Sequence, residues 1–188
     1  MHMTALSKPS FLSRSHPRWW VVMGVSGCGK SSLGSELARH WNLPLIEGDD
    51  FHPPANIEKM SRGVALNDSD RAGWLQTLGR ELASHPEGAV LTCSALKRSY
   101  RDTLRAAVPG LCFAFMEITR DEARLRVKAR AGTHFFSSSL VDNQFDTLQD
   151  PTGEPGVLAV DATHAIDALV REIDAASGNG AQRRATTA

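Results

Sequence analysis

Between Gly24 and Ser31 the chain reads Gly-Val-Ser-Gly-Cys-Gly-Lys-Ser, the spacing G-x-x-x-x-G-K-(S/T) of a loop that binds polyphosphates. A polyphosphate packs several negative charges into a small volume. The backbone around it must turn its N–H groups inward, and glycines permit that path. Gly24, Ser26, Gly27, Cys28, Gly29, Lys30, Ser31 and Ser32 are therefore the candidate nucleotide contacts. The Lys30 ammonium suits the β/γ oxygens and catalysis there, and the Ser31 hydroxyl suits Mg²⁺. The chemistry implied is that of an ATP or GTP site.

Such a loop needs a strand before it and a helix after it. Trp19 to Met23 is a short apolar, β-rich run, and Leu33, Leu37 and Trp41 recur at helical spacing behind the loop. A second strand, Leu43 to Glu47, delivers Gly48-Asp49-Asp50-Phe51-His52 at its carboxyl end, the edge where open α/β sheets bind ligands. Asp49 could hold Mg²⁺ or accept a proton from an attacking hydroxyl; a polar turn before proline is the plainer reading. His52 could equally satisfy that turn.

Further along, Asn67, Asp68, Ser69 and Asp70 offer N-caps for a helix with Trp74, Leu75, Leu78 and Leu82 on one face. Arg71 stands in its first turn, where a cation gains nothing from the helix dipole. It is either functional or paired with Asp68 or Asp70. The strand Ala89 to Cys93 lacks a terminal aspartate for Mg²⁺, a place that Asp49 could fill. After it, Lys97 and Arg101 are one helical turn apart, giving two cations near the binding edge or a solvated helix face.

A fourth strand, Leu111 to Ile118, leads to a helix carrying Arg124, Arg126, Lys128 and Arg130. Phosphoryl transfer calls for positive charge beyond one loop lysine, so about residues 124–138 read as a mobile lid. Arg124 is its candidate nucleotide contact and Arg130 its candidate catalytic cation. Val157 to Asp161 is a fifth strand, and Ile166, Leu169, Val170 and Ile173 mark a closing helix. Strands alternating with helices imply an α/β fold with a parallel five-stranded sheet covered on both faces.

The 188 residues suit one domain, read here as 19–176, with a flexible leader (1–18) and tail (177–188). Lys+Arg and Asp+Glu both number 21, so no global field argues for nucleic acid or an anionic membrane. No run approaches a membrane span. Three cysteines without C-x-x-C spacing fit a reducing, cytoplasmic setting.

Several blocks together resemble the gluconokinases, within the P-loop small-molecule kinases. They are Gly24 to Ser31, Gly48-Asp49-x-x-His52-Pro53-x-x-Asn56-Ile57-x-Lys59-Met60, Leu66-Asn67-Asp68-x-Asp70-Arg71-x-x-Trp74-Leu75, Cys93-Ser94-Ala95-Leu96-Lys97, His134-Phe135-Phe136 and Gln144-Phe145-x-Thr147-Leu148. The likeness spans about residues 19 to 175. It implies transfer of the ATP γ-phosphoryl group to the 6-hydroxyl of D-gluconate, a fold shared with shikimate and nucleotide kinases, and a homodimer. It casts Lys30 and Ser31 on phosphate and Mg²⁺ and Asp49 at the acceptor hydroxyl. His52, Lys59, Arg71, Lys97, Arg101 and His134 become the acceptor-pocket candidates. In the lid the family pattern is Arg-x-Gly-His-Phe, whereas Thr133 stands here between Gly132 and His134. The rivals are a shikimate-like or adenylylsulfate-like kinase, and a nucleotide-dependent switch, against which the absence of an Asn-Lys-x-Asp guanine signature speaks.

Overall fold

The computed structural model describes residues 18–130 and 138–184. The chain runs β1 (Arg18–Met23), α1 (Lys30–Trp41), β2 (Leu45–Glu47), a 3₁₀ turn (Gly48–Phe51), α2 (Pro54–Ser61), α3 (Asp68–Ala83), β3 (Gly88–Thr92) and α4 (Arg98–Ala107). It continues through β4 (Cys112–Glu117), α5 (Arg120–Arg130), α6 (Ser138–Thr147), β5 (Val157–Asp161) and α7 (Ile166–Arg184). The strands form one parallel sheet in the order β2-β3-β1-β4-β5.

Successive strand residues face opposite sides, and this alternation sorts the core into two layers. Val21, Met23, Leu91, Phe113 and Phe115 pack against Trp74, Leu78 and Leu82 of α3 and Tyr100 and Leu104 of α4. Trp20, Val22, Val90, Ala114 and Met116 pack against Leu33 and Leu37 of α1 and Leu169 and Ile173 of α7. A third cluster joins the phosphate loop to the lid side through Val25, Ala123 and Val127 of α5 and Val141 of α6. The sheet is thus covered on both faces, as expected.

Local chemistry moved some boundaries. The expected second strand began at Leu43, but Asn42 adopts the left-handed conformation (φ 52) and Leu43 N–H closes α1 on Ala38 O at 2.9 Å. Those residues serve the helix end, and β2 starts at Leu45. Helix α7 runs from Ile166 to Arg184. Gly48 is dictated by close approach, since a Cβ there would sit 2.3 Å from Thr92 O, so the turn after β2 can press onto β3.

Candidate active site

The phosphate loop leaves β1 at the carboxyl edge and opens α1, whose N-terminal dipole faces the same space. Gly27 has φ +88, and a Cβ there would meet Ala123 O at 2.7 Å, so the loop can lie directly on α5 only with glycine at this position. Lys30 Nζ donates to Val25 O at 3.0 Å, curling back on the loop it serves. Ser26 N–H donates to Gln144 Oε1 of α6 at 2.6 Å. Ser31 Oγ donates to Glu47 Oε2 at 3.1 Å, and Thr92 Oγ1 donates to the same carboxylate oxygen.

Glu47 was missed in the sequence, although it is a carboxylate ending a strand at the ligand edge. It is the carboxylate that meets Ser31, whereas the Asp49 side chain is 81% exposed with His52 Nε2 at 3.8 Å. Two oxygen donors of different residues side by side can hold a hard divalent cation. Among the described residues no cluster of three or more His, Cys, Asp or Glu forms a metal cage. Most of the coordination of such a cation would come from phosphate and water.

The acceptor side is built on Trp74. Its Nε1 donates to Gly48 O at 2.8 Å, fastening α3 to the turn, and the His52 ring stacks on it at 4.1 Å between centroids. Asn56 Nδ2 donates to Asp70 O at 2.8 Å and lies 3.4 Å from His52 Nδ1. Since an amide N–H can only donate, Nδ1 is the accepting nitrogen and Nε2 carries the proton toward Asp49. Burial pulls the His52 pKa below its ordinary 6.5, opposed by Asp49 and aided by Arg71.

Of the four cations expected around the acceptor, three are paired. Lys59 Nζ holds Asp70 at 2.6 Å, and Lys97 Nζ holds Asp68 at 2.6 and 2.8 Å. Hydrogen bonds from Lys97 and Tyr100 keep the Asp68 carboxyl below its usual pKa, and bonds from Lys59 and the Asn67 N–H do the same for Asp70. Asp70 also completes a capping box with Asn67 at the start of α3. Both carboxylates that could have neutralised Arg71 are therefore committed elsewhere. Arg71 is 9% exposed, its Nε is buried without a hydrogen-bond partner, and its guanidinium lies 5.8 Å from the Tyr100 ring centroid. Among the described residues no carboxylate reaches it within ion-pair distance.

Arg101 does not join this group. The expectation that it shares a face with Lys97 presumed both on one helix, but Lys97 is the extended N-cap (ψ 148) and α4 starts at Arg98. Arg101 is fully buried, with Nε and Nη2 on Glu154 at 3.0 and 2.5 Å, Nη1 on Ala95 O and Leu96 O, and Nη2 also on Gln149 O. All five donors are used. Ala95 holds the left-handed conformation at φ 44, so Arg101 clamps a strained loop in place.

On the lid side, Arg124 Nη2 lies 2.6 Å from Asp142 of α6, and Arg120 reaches Asp146 at 2.8 Å. Helices α5 and α6 are thereby tied together beside the loop. Of the proposed lid, residues 124–130 are helical, the Arg130 side chain and His134 lie outside what is described, and so does Thr133. Ser32 is exposed on the first turn of α1. Cys28 and Cys93 are buried free thiols, and burial pushes that of Cys93 up to about 12, which removes it as a nucleophile.

No protein-family model matches the chain. It is 42% identical over 155 residues to the thermoresistant gluconokinase of Escherichia coli (strain K12), covering 80% of this chain and 88% of that one. The gluconokinase of Gluconobacter oxydans (strain 621H) is 42% identical over 160 residues, covering 84% and 89%. Among solved structures, a gluconokinase from Sinorhizobium meliloti 1021 superimposes with a TM-score of 0.82 at 47% identity, covering 90% of this chain and 97% of that one. Identity of this extent over most of both chains, on the same phosphate-loop fold, means that the chain belongs to the gluconokinase family of P-loop kinases.

Proposed function

We propose that the protein transfers the γ-phosphoryl group of ATP to the 6-hydroxyl of D-gluconate. The observation that carries the acceptor assignment is Arg71, a buried guanidinium with no carboxylate partner, set beside His52 and Asp49 at the sheet's binding edge. Asp68 and Asp70 act on Arg71 only from beyond ion-pair distance, and a buried cation without a direct partner is costly, so such a site suits an anionic ligand. The carboxylate of gluconate supplies that charge, and a bidentate pair suits the guanidinium fork.

Asp49 is the group to accept the hydroxyl proton as the sugar oxygen bonds to phosphorus and the bond to ADP breaks. His52, stacked on Trp74 and with burial lowering its pKa, sets its Nε2 3.8 Å from that carboxylate. Lys30 leaves Val25 O for the β/γ oxygens. Mg²⁺ fits the Ser31 and Glu47 oxygens and, when bound, would neutralise phosphate charge. The free thiols support a cytoplasmic setting, and the family likeness alone supports a homodimer.

Arg71→Gln tests this reading. It is expected to lower kcat/KM for gluconate by about tenfold or more, the worth of a buried charge pair at roughly 1.4 kcal/mol per decade, while the poor activity on glucose stays nearly unchanged. Losing an unpaired buried cation is not expected to lower the melting temperature. An equal loss on both acceptors would make Arg71 a part of the scaffold.

A further inference from the structure

The Val25–Ser26 peptide unit of the phosphate loop is gripped from both sides. Its carbonyl accepts from Lys30 Nζ at 3.0 Å, and its N–H donates to Gln144 Oε1 at 2.6 Å across 118 residues of sequence. A peptide is planar, so fixing the direction of the N–H fixes that of the carbonyl opposite. Gln144 belongs to α6, whose Val141 and Phe145 pack with Val25 and with Ala123 and Val127 of α5. Arg120 and Arg124 bind the same helix through Asp142 and Asp146. The amide oxygen therefore reaches the loop from a braced platform.

We propose that Gln144 is a positioning residue for nucleotide binding, acting through the Val25–Ser26 peptide on Lys30. With its N–H held, that peptide cannot flip its carbonyl toward the incoming phosphates, and Val25 O stays where Lys30 can leave it for the β/γ oxygens. A phosphate loop binds by converging N–H groups, so a carbonyl turned inward would oppose the ligand's charge. The inference rests on the phosphate-loop half of the proposed function and is independent of the acceptor's identity.

The test is a double-mutant cycle read by calorimetric binding of a non-hydrolysable ATP analogue to the full chain, with no acceptor present. Gln144→Met keeps the side-chain length and removes the oxygen. It is expected to weaken analogue binding by about threefold to tenfold, the range of one hydrogen bond. In a Lys30→Met background the same change is expected to add less than about twofold, because the positioned group is gone. An unchanged affinity in the single variant, or a full additive loss in the double variant, would overturn the proposal. A purely structural role would lower the melting temperature and give additivity.

Discussion

Lys30→Met is expected to lower turnover by at least about a hundredfold while the fold survives. Lys30 opens α1 directly after the loop, and among the described residues its ammonium hydrogen-bonds only the Val25 carbonyl, so it holds no element of the core together. Its removal costs little packing. In the transition state the same ammonium meets charge spreading over the transferred group, where one preorganised contact is typically worth about 2.7–4 kcal/mol. At about 1.36 kcal/mol per decade that is two to three orders of magnitude in rate. Steady-state turnover with both substrates saturating checks it. Near-native turnover in a folded variant would remove the loop from the chemistry.

The second large effect is on stability. Arg101→Met is expected to cost about 3 kcal/mol, because removing one partner of a buried ion pair leaves the other charge uncompensated, and a domain of this size then melts about 6–12 °C lower. Glu154 would keep Arg105 at 2.9 Å, which holds the loss to the lower end of what such deletions cost. The loop around Ala95 loses two carbonyl contacts at once. The pH dependence follows from Glu154, whose carboxyl is pushed from 4.5 down to about 2, chiefly by the Arg101 hydrogen bond. A lowered carboxyl pKa stabilises the fold fully above pH 4.5 and ceases to do so as pH falls through about 2. The gap in melting temperature between parent and variant is therefore widest near neutrality and narrows in acid. An unchanged melting temperature with a raised KM for the acceptor would return Arg101 to the binding site.

The contrast between these two residues shows what was legible in the sequence. Lys30 was readable because its role is set by neighbours within one short motif. The five strands were readable for a similar reason: Val-rich runs such as Trp19 to Met23 carry their burial locally. Arg101 was misread because its partners, Gln149 and Glu154, lie 48 and 53 residues away and no local spacing announces them. Helical periodicity placed it beside Lys97 on the assumption that the helix began earlier. Glu47 received no role, and Gln144 only a place in the family resemblance, for the same cause, since their contacts to Ser31 and Ser26 span 16 and 118 residues. The pairing of Asp68 and Asp70 with lysines is likewise tertiary, and it changed Arg71 from an ambiguous first-turn cation into a singular one.

The central claim is that the acceptor site is built around a cation awaiting an anion. The measurement that tests it most directly is the ratio of kcat/KM for D-gluconate to that for glucose in the unmodified protein, by coupled ADP release. Glucose offers a primary hydroxyl without the carboxylate, so Arg71 would stay buried and unpaired at a cost of about 1–3 kcal/mol or more. At roughly 1.4 kcal/mol per decade, the ratio is predicted to be about tenfold or greater. Equal specificity constants for the two sugars would contradict it, whatever the phosphate loop proved to do.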